Sequence, residues 1–131
     1  MNIIKTLTML MGWRSIATPE LVAGEKVVFS AIAARRRGPF SGSGKIVLTT
    51  NRLMYLPLGI AHNPLTLPVA EIVSTRPEPR HRGLIGGLPG APLFSVILTN
   101  GDSVTFQCGW AGRMRKEIEH LIAERKGASA A

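Results

Sequence analysis

From Lys26 onwards, apolar residues recur at every second position for about eighty residues, a period that is typical of β-strands. The segments KVVFSAIAA, KIVLTT and RLMYLPL each fit this pattern. Residues 35–43 separate the first two segments, and Thr50-Asn51 separates the second from the third. The pattern therefore predicts three antiparallel strands in a meander, with a loop over residues 35–43.

A second group of predicted strands begins at Leu65. LTLPV and EIVSTR are short segments beside prolines, which lack the amide hydrogen that a central strand needs. Residues 79–92 are rich in glycine and proline and predict a long loop with one brief strand near Leu84. LFSVILT and SVTFQC flank Asn100-Gly101, a pair that favours the backbone angles of a tight hairpin turn. This hairpin is expected to turn one set of side chains towards the core: Phe94, Val96, Leu98, Val104, Phe106 and Cys108.

Helical periodicity is found at the two ends of the chain. Residues 2–16 predict a short amphipathic helix, whose apolar positions are Ile3, Ile4, Leu7, Leu10 and Met11. The proline in Thr18-Pro19 disfavours helical geometry in the residue before it, so a linker is expected there. WAGRMRKEIEHLIAERK predicts a C-terminal helix with a buried stripe that contains Trp110, Met114, Ile118, Leu121 and Ile122.

The length of 131 residues suits one domain with its own core. We expect an amphipathic N-terminal helix over residues 1–17, a linker over 18–24, the domain over 25–126 and a disordered tail over 127–131. The sequence thus predicts a mainly β protein with α-helices at its ends.

Charge restricts the partners more than the fold. Lysine and arginine together number 16 and aspartate and glutamate 8, a net charge of +8 that favours acidic partners. No stretch of about 18 uncharged apolar residues exists, so no membrane-spanning helix is expected. A single cysteine, Cys108, cannot form an internal disulfide and suits a reducing compartment. We expect a cytoplasmic protein, either unattached or peripheral at the inner face of the membrane.

The sequence offers no catalytic group in a recognisable arrangement. Aspartate occurs once, at Asp102, which makes chemistry by paired carboxylates unlikely. His62, His81 and His120 have no cysteine or carboxylate partners at metal-ligand spacing. No serine lies in a G-x-S-x-G elbow. We therefore expect no enzyme activity, no metal and no cofactor.

The segment RRRGPFSGSGKIVLTT, residues 35–50, combines three arginines, a glycine-rich stretch and Gly44-Lys45. A Walker-type phosphate loop would need glycine where Pro39 stands and a hydroxyl where Ile46 stands, and it would open a helix rather than a strand. Residues 35–43 are therefore interpreted as a basic hairpin loop, and GKIVLTT as the start of a pair of strands. The candidate anion-binding residues are Arg35, Arg36, Arg37, Lys45 and Arg52.

Several residues of the predicted strands resemble the GRAM domain, a member of the pleckstrin-homology-like superfold. They are Gly44, Leu48, Thr49, Asn51, Arg52 and Leu53 in GKIVLTTNRLMYLP, Leu67-Pro68 and Glu71-Ile72 in TLPVAEIVS, and Asn100-Gly101 with Phe106. The resemblance covers roughly residues 20–125. It implies a partly open barrel of two nearly orthogonal antiparallel sheets capped by the C-terminal helix, and a role in recognising lipid headgroups or protein segments without catalysis.

Three functional hypotheses follow. The first is a binding module that docks on anionic phospholipid or an acidic protein partner through the basic hairpin loop. Frequent Arg, Ala, Gly and Pro indicate a GC-rich bacterial source, so the lipid is expected to be a generic anionic phospholipid. The second is an accessory or structural subunit that assembles, with a protein partner or as a homo-oligomer, through its N-terminal helix and sheet edges. The third is nucleic-acid binding by a basic barrel, which is disfavoured because exposed aromatic residues are few.

The predicted N-terminal helix has a separate set of alternatives. It packs on the domain or on a second subunit, or it lies on a bilayer with its apolar face in the acyl boundary. The residues concerned are Ile3, Ile4, Leu7, Leu10, Met11 and Trp13.

Overall fold

The fold is described by a computed structural model that covers residues 18–37, 40–58, 64–79, 85–86 and 91–130. The predicted N-terminal helix lies outside these residues. The strands within them are β1 (Val27–Arg37), β2 (Phe40–Thr49), β3 (Arg52–Pro57), β4 (Leu65–Pro68), β5 (Ile72–Glu78), β6 (Ile85–Gly86), β7 (Leu93–Leu98) and β8 (Ser103–Gln107). A 3-10 turn (Val69–Glu71) joins β4 to β5, and one helix, α1 (Ala111–Ala130), follows the last strand.

The strands form one antiparallel sheet in the order β4-β3-β2-β1-β8-β7-β5, with β6 parallel to β2 beside it. The path is open, because β4 and β5 are its two ends even though they are consecutive in the chain. The predicted mainly β fold with a C-terminal helix is therefore confirmed. The described strands share one continuous hydrogen-bonded path through β1, whereas the resemblance implied a partly open barrel of two nearly orthogonal sheets.

Two element boundaries differ from the prediction. The loop predicted over residues 35–43 is wrong, because β1 continues to Arg37 and β2 begins at Phe40. The two strands pair from Arg37 and Phe40 onwards. At the other end of the chain, α1 continues to Ala130, past Gly127, where the sequence predicts a disordered tail.

Alternation along the strands sends one face of the sheet, here called the inner face, into the main core. Tyr55, Phe94 and Phe106 lie at its centre, with ring centroids 6.0 Å apart for Tyr55 and Phe106 and 5.7 Å apart for Phe94 and Phe106. α1 covers this core with a buried stripe of Met114, Ile118, Leu121 and Ile122, as predicted. These contacts fix the helix to the inner side of the sheet.

Trp110 is an exception to the predicted stripe. Its side chain is 61% exposed, so the prediction that it is buried is wrong. The helix begins at Ala111, and the Trp110 carbonyl only accepts the first helical hydrogen bond, from the Met114 amide at 2.9 Å. Trp110 therefore stands before the helix and does not follow its periodicity.

The β7–β8 hairpin confirms the turn predicted at Asn100-Gly101. Gly101 has a φ angle of 91°, which favours glycine, and the Leu98 amide donates to the Asp102 carbonyl at 2.8 Å. The Asn100 side chain accepts from the Asp102 amide at 2.9 Å and so supports the turn. Phe94, Val96, Phe106 and Cys108 are buried on the inner face, as expected.

Candidate functional site

The three consecutive arginines are strand residues at the end of the β1–β2 hairpin. Arg35 pairs with Gly42, Arg36 with Ser41 and Arg37 with Phe40. The last pair between β2 and β3 joins Gly44 to Pro57, so residues 40–43 continue beyond the end of β3. We call residues 35–37 and 40–43 the hairpin end. It carries the highest local density of positive charge in the sequence.

Arg35 lies on the inner face, in the same alternation as Ala31 and Ala33. The charge of Arg35 acts on Tyr55, whose hydroxyl donates to the Gly42 carbonyl at 2.5 Å. Burial raises the pKa of the Tyr55 hydroxyl, and the positive charge of Arg35 acts in the opposite direction. Arg35 therefore lies at the edge of the main core, close to Tyr55.

Arg36 points to the opposite side of the sheet, here called the outer face. It lies in a cross-strand row with Thr105, Ser95 and Arg76. Glu78 is nearby, and its pKa is lowered by the hydrogen bond from Arg76, by one from Ser95 and by the charges of Arg76 and Arg36. The charge of Arg36 is therefore partly balanced by Glu78.

Arg76 and Glu78 lie near the hairpin end, although neither was predicted as part of the site. Arg76 Nε lies 2.5 Å from Glu78 Oε1 in an ion pair whose arginine side chain is 60% exposed. Their spacing of two residues places both on one face of a strand, which the sequence could have revealed. The pairing of β5 with β7, which brings them towards Arg36, could not be read from this periodicity.

Lys45 shares the outer face with Arg36 but lies further along β2. It pairs with Ile32 and Leu56, and its Nζ donates to Thr18 Oγ1 at 3.2 Å. Ser41, the partner of Arg36, is four residues away, or roughly 13 Å at about 3.3 Å per residue. Lys45 can therefore add long-range charge to the hairpin end without sharing a ligand with Arg36.

Arg52 lies at the other end of the sheet, and its placement near the three arginines has to be corrected. Gly42 pairs with Arg35, whereas Thr49 lies beside Arg52, and these two residues of β2 are about 23 Å apart by strand geometry. Arg52 Nε donates to Glu25 Oε2 at 2.9 Å, and its Nη2 donates to the Glu20 carbonyl at 3.0 Å. Arg52 therefore holds the linker against the sheet.

Glu25 is the centre of that contact. Its carboxylate is buried and also accepts from the Thr49 hydroxyl at 2.5 Å and from the Val22 amide at 3.0 Å. The hydrogen bonds from Arg52 and Thr49 lower the pKa of Glu25 from 4.5 to about 2. The positive charge of Arg52 is thus paired with the carboxylate of Glu25 inside the protein.

An exposed apolar residue accompanies the hairpin end. Leu58 follows β3, its amide donates to the Ser43 carbonyl at 3.0 Å, and its side chain is 41% exposed. Phe40 begins β2 at the same end. Basic residues and an apolar side chain thus occur together where the hairpin extends beyond β3.

The histidines, the cysteine and the carboxylates of the described residues are relevant to a possible metal site. None of the described His, Cys, Asp and Glu residues form a group of three that could hold a metal ion. His120 contacts Glu124 at 2.9 Å on the exposed side of α1, while His62 and His81 lie outside the described residues. Burial raises the pKa of the Cys108 thiol, which disfavours the reactive thiolate.

The predictions for membrane contact by the first helix concern Ile3, Ile4, Leu7, Leu10, Met11 and Trp13, all outside the described residues. Among the helical residues that the structure does describe, no segment is both long and apolar enough to cross a bilayer.

Comparison with known proteins adds information on the fold. No protein-family profile and no curated protein sequence matches the chain. A solved structure, the C-terminal domain of an unknown protein from Leishmania infantum, matches with a TM-score of 0.61 and 13% sequence identity, over 93% of this chain and 99% of that one. At this identity the similarity extends to the fold alone.

Proposed function

We propose that this chain is a noncatalytic binding module of the pleckstrin-homology-like type that docks on anionic phospholipid through its hairpin end. The resemblance of GKIVLTTNRLMYLP to a GRAM domain supports the family assignment, and these residues form β2, β3 and the turn between them. The C-terminal helix that the resemblance implies corresponds to α1. Fold does not fix function, so the anionic ligand is inferred from the residues of the hairpin end.

One observation carries the proposal: three consecutive arginines occupy the last positions of β1, where β1 and β2 extend past β3. A guanidinium can donate two parallel hydrogen bonds to a phosphate, and its charge is attracted to an anionic surface from a distance. The exposed Leu58 beside Ser43 supplies an apolar side chain that can enter the interface between headgroups and acyl chains. Lys45 adds charge on the outer face.

The expected affinity is modest. A basic residue near an anionic membrane surface contributes about 1 kcal/mol. Two or three such residues give about 2–3 kcal/mol, or about a 30- to 150-fold preference for anionic over neutral vesicles. Glu78 reduces the contribution of Arg36 to this preference. Arg52 is excluded from the site because it is paired with Glu25.

Sedimentation with phosphatidylcholine vesicles that contain increasing fractions of phosphatidylserine tests the proposal. Binding is expected to rise with the phosphatidylserine fraction and to fall as salt is added, because exposed charges are screened. Absence of binding to phosphatidylserine vesicles at low salt would overturn lipid docking. Equal binding to neutral vesicles would show that the arginines are not the determinant.

A further inference from the structure

Glu78 lies at the centre of a polar group on the outer face, next to the hairpin end. Its carboxylate accepts from Arg76 Nε at 2.5 Å and from the Ser95 hydroxyl. Arg36, which lies in β1 beyond β7 and β8, contributes positive charge at the same carboxylate. Donors and charge from β5, β7 and β1 therefore meet at one anionic group.

A pair of hydroxyl groups directs its protons towards this carboxylate. Ser95 Oγ lies 2.6 Å from Thr105 Oγ1, and Thr105 pairs with both Ser95 and Arg36 in the sheet. A hydroxyl has one proton to donate. Because the Ser95 hydroxyl donates to Glu78, the Thr105 hydroxyl must donate to Ser95. The donors thus form a chain that ends at the carboxylate and favours a negative charge at that position.

This position is accessible from the side of the arginines. The side chain of Arg76 is 60% exposed and that of Glu78 is 20% exposed, whereas Ser95 is buried. The Cα atoms of Arg36 and Arg76 are separated by three strand spacings, or about 14 Å. Two arginine side chains that extend towards each other across this distance can both donate to one phosphate group between them.

We infer that Arg36 and Arg76 form a phosphate-binding subsite on the outer face, and that Glu78 occupies it as an internal counter-ion when no phosphate is bound. A phosphate group has more acceptor oxygens than a carboxylate and can receive two parallel hydrogen bonds from a guanidinium. A bound phosphate replaces Glu78 as the partner of Arg76. The subsite thereby adds Arg76, which is distant in sequence, to the basic residues of the hairpin end.

The phosphate has two sources, and the membrane source rests on the proposed function. Phosphatidylserine carries a phosphate in its headgroup, and docking through the hairpin end would bring Arg36 to it. Inorganic phosphate offers the same group in solution and requires no membrane. In both cases Glu78 lowers the affinity, because the phosphate must displace it from Arg76.

Titration of the full chain with inorganic phosphate tests the subsite without a membrane. The NMR signals of the arginine Nε–H groups are followed at constant ionic strength, with chloride as the control anion. The signals of Arg36 and Arg76 are expected to shift together and to saturate, whereas that of the exposed Arg125 in α1 is not. Equal shifts in phosphate and chloride, or shifts at Arg125 of the same size, would overturn the subsite.

Glu78→Gln distinguishes displacement of the carboxylate from general charge attraction. Glutamine keeps an acceptor for Ser95 but removes the negative charge, so phosphate is expected to bind about fivefold more tightly. Glu71→Gln removes the same charge from an exposed residue before the other end of β5, and affinity should change less than about twofold. Equal gains in the two variants, or a gain from Glu78→Gln that persists when Arg76→Ala is added, would contradict displacement.

Vesicles separate the two sources of phosphate. Arg76→Ala is expected to weaken binding to phosphatidylserine vesicles about fivefold, and Arg125→Ala less than about twofold. If phosphate shifts the signals of Arg36 and Arg76 but Arg76→Ala leaves vesicle affinity unchanged, the subsite stands and its ligand is free phosphate.

The same measurements separate the subsite from membrane docking. A chain that responds to phosphate but does not bind the vesicles retains the subsite and excludes lipid docking. A chain that binds the vesicles, but in which neither phosphate nor Arg76→Ala has an effect, retains docking and overturns the subsite.

Discussion

Arg52 and Glu25 form an ion pair, 2.9 Å between Nε and Oε2, that joins the linker to the start of β3. The carboxylate is buried, whereas the arginine side chain is 24% exposed. Together with the Thr49 hydroxyl, the pair holds the linker at the end of β2 and β3 that lies opposite the hairpin end.

Acid is expected to destabilise the protein through Glu25. The pKa of Glu25 is about 2 in the folded protein and 4.5 ordinarily. A lowered pKa contributes stability above pH 4.5, and this contribution is lost as the pH falls from 4.5 towards 2. Urea denaturation across this range should show the loss, and Glu25→Gln should remove much of it. An equal slope in both proteins would contradict the assignment.

Arg52→Ala is expected to destabilise the protein because it leaves a buried carboxylate without its charged partner. Arg52→Lys should recover only part of the loss, since an ammonium group cannot reproduce the fork that reaches both Glu25 and the Glu20 carbonyl. The matched control is Arg76→Ala, which breaks a more exposed pair and should cost less than about 1 kcal/mol. A loss no larger than that of the control, measured by urea denaturation, would argue against the role of Arg52.

Gly44 is expected to tolerate no side chain. A Cβ atom there would lie 2.4 Å from the Leu56 carbonyl oxygen and 2.9 Å from the Pro57 Cα, both backbone atoms of β3. Gly44→Ala should therefore cost about 1–3 kcal/mol in the free energy of unfolding, the usual range for overpacking. Gly112→Ala, with nothing within 4 Å of its new atom, should be neutral or stabilising by up to about 1 kcal/mol. Equal unfolding midpoints for the two variants would contradict the close approach.

Thr75 is expected to fix α1 to β5. Glu119 Oε1 accepts from the Thr75 amide at 2.7 Å and from its hydroxyl at 2.9 Å, and Arg115 Nε donates to the same hydroxyl at 3.2 Å. Thr75→Val keeps the shape and should lose about 1–2 kcal/mol, with faster amide exchange in α1. The exposed Thr66→Val in β4 serves as the control. Unaltered exchange in α1 would show that the helix is held by its apolar stripe alone.

Periodicity predicted the elements that depend on local patterns. The strands on both sides of Asn100-Gly101 and the buried face of Phe94, Val96 and Phe106 follow from alternation and turn chemistry, and both agree with the structure. Met114 and Ile118 follow in the same way from the helical period.

The candidate site was less predictable because its geometry depends on where strands end and which strands pair. The sequence predicted a loop over residues 35–43, whereas β1 continues to Arg37 and β2 begins at Phe40. Once Arg35 and Arg36 belong to a strand, alternation places them on opposite faces. Contacts such as Arg52 with Glu25 join residues that are 27 positions apart, which no local pattern encodes.

The most direct test of lipid docking compares two variants with the same loss of charge. Arg36→Ala with Arg37→Ala removes two arginines from the hairpin end, and Arg125→Ala with Lys126→Ala removes two exposed cations from α1. Affinity for phosphatidylserine vesicles is expected to fall about 10- to 30-fold in the first variant, given about 1 kcal/mol per basic residue and the balancing effect of Glu78. It should fall less than about threefold in the second. Equal losses in the two folded variants, or no loss in the first, would contradict docking through the hairpin end.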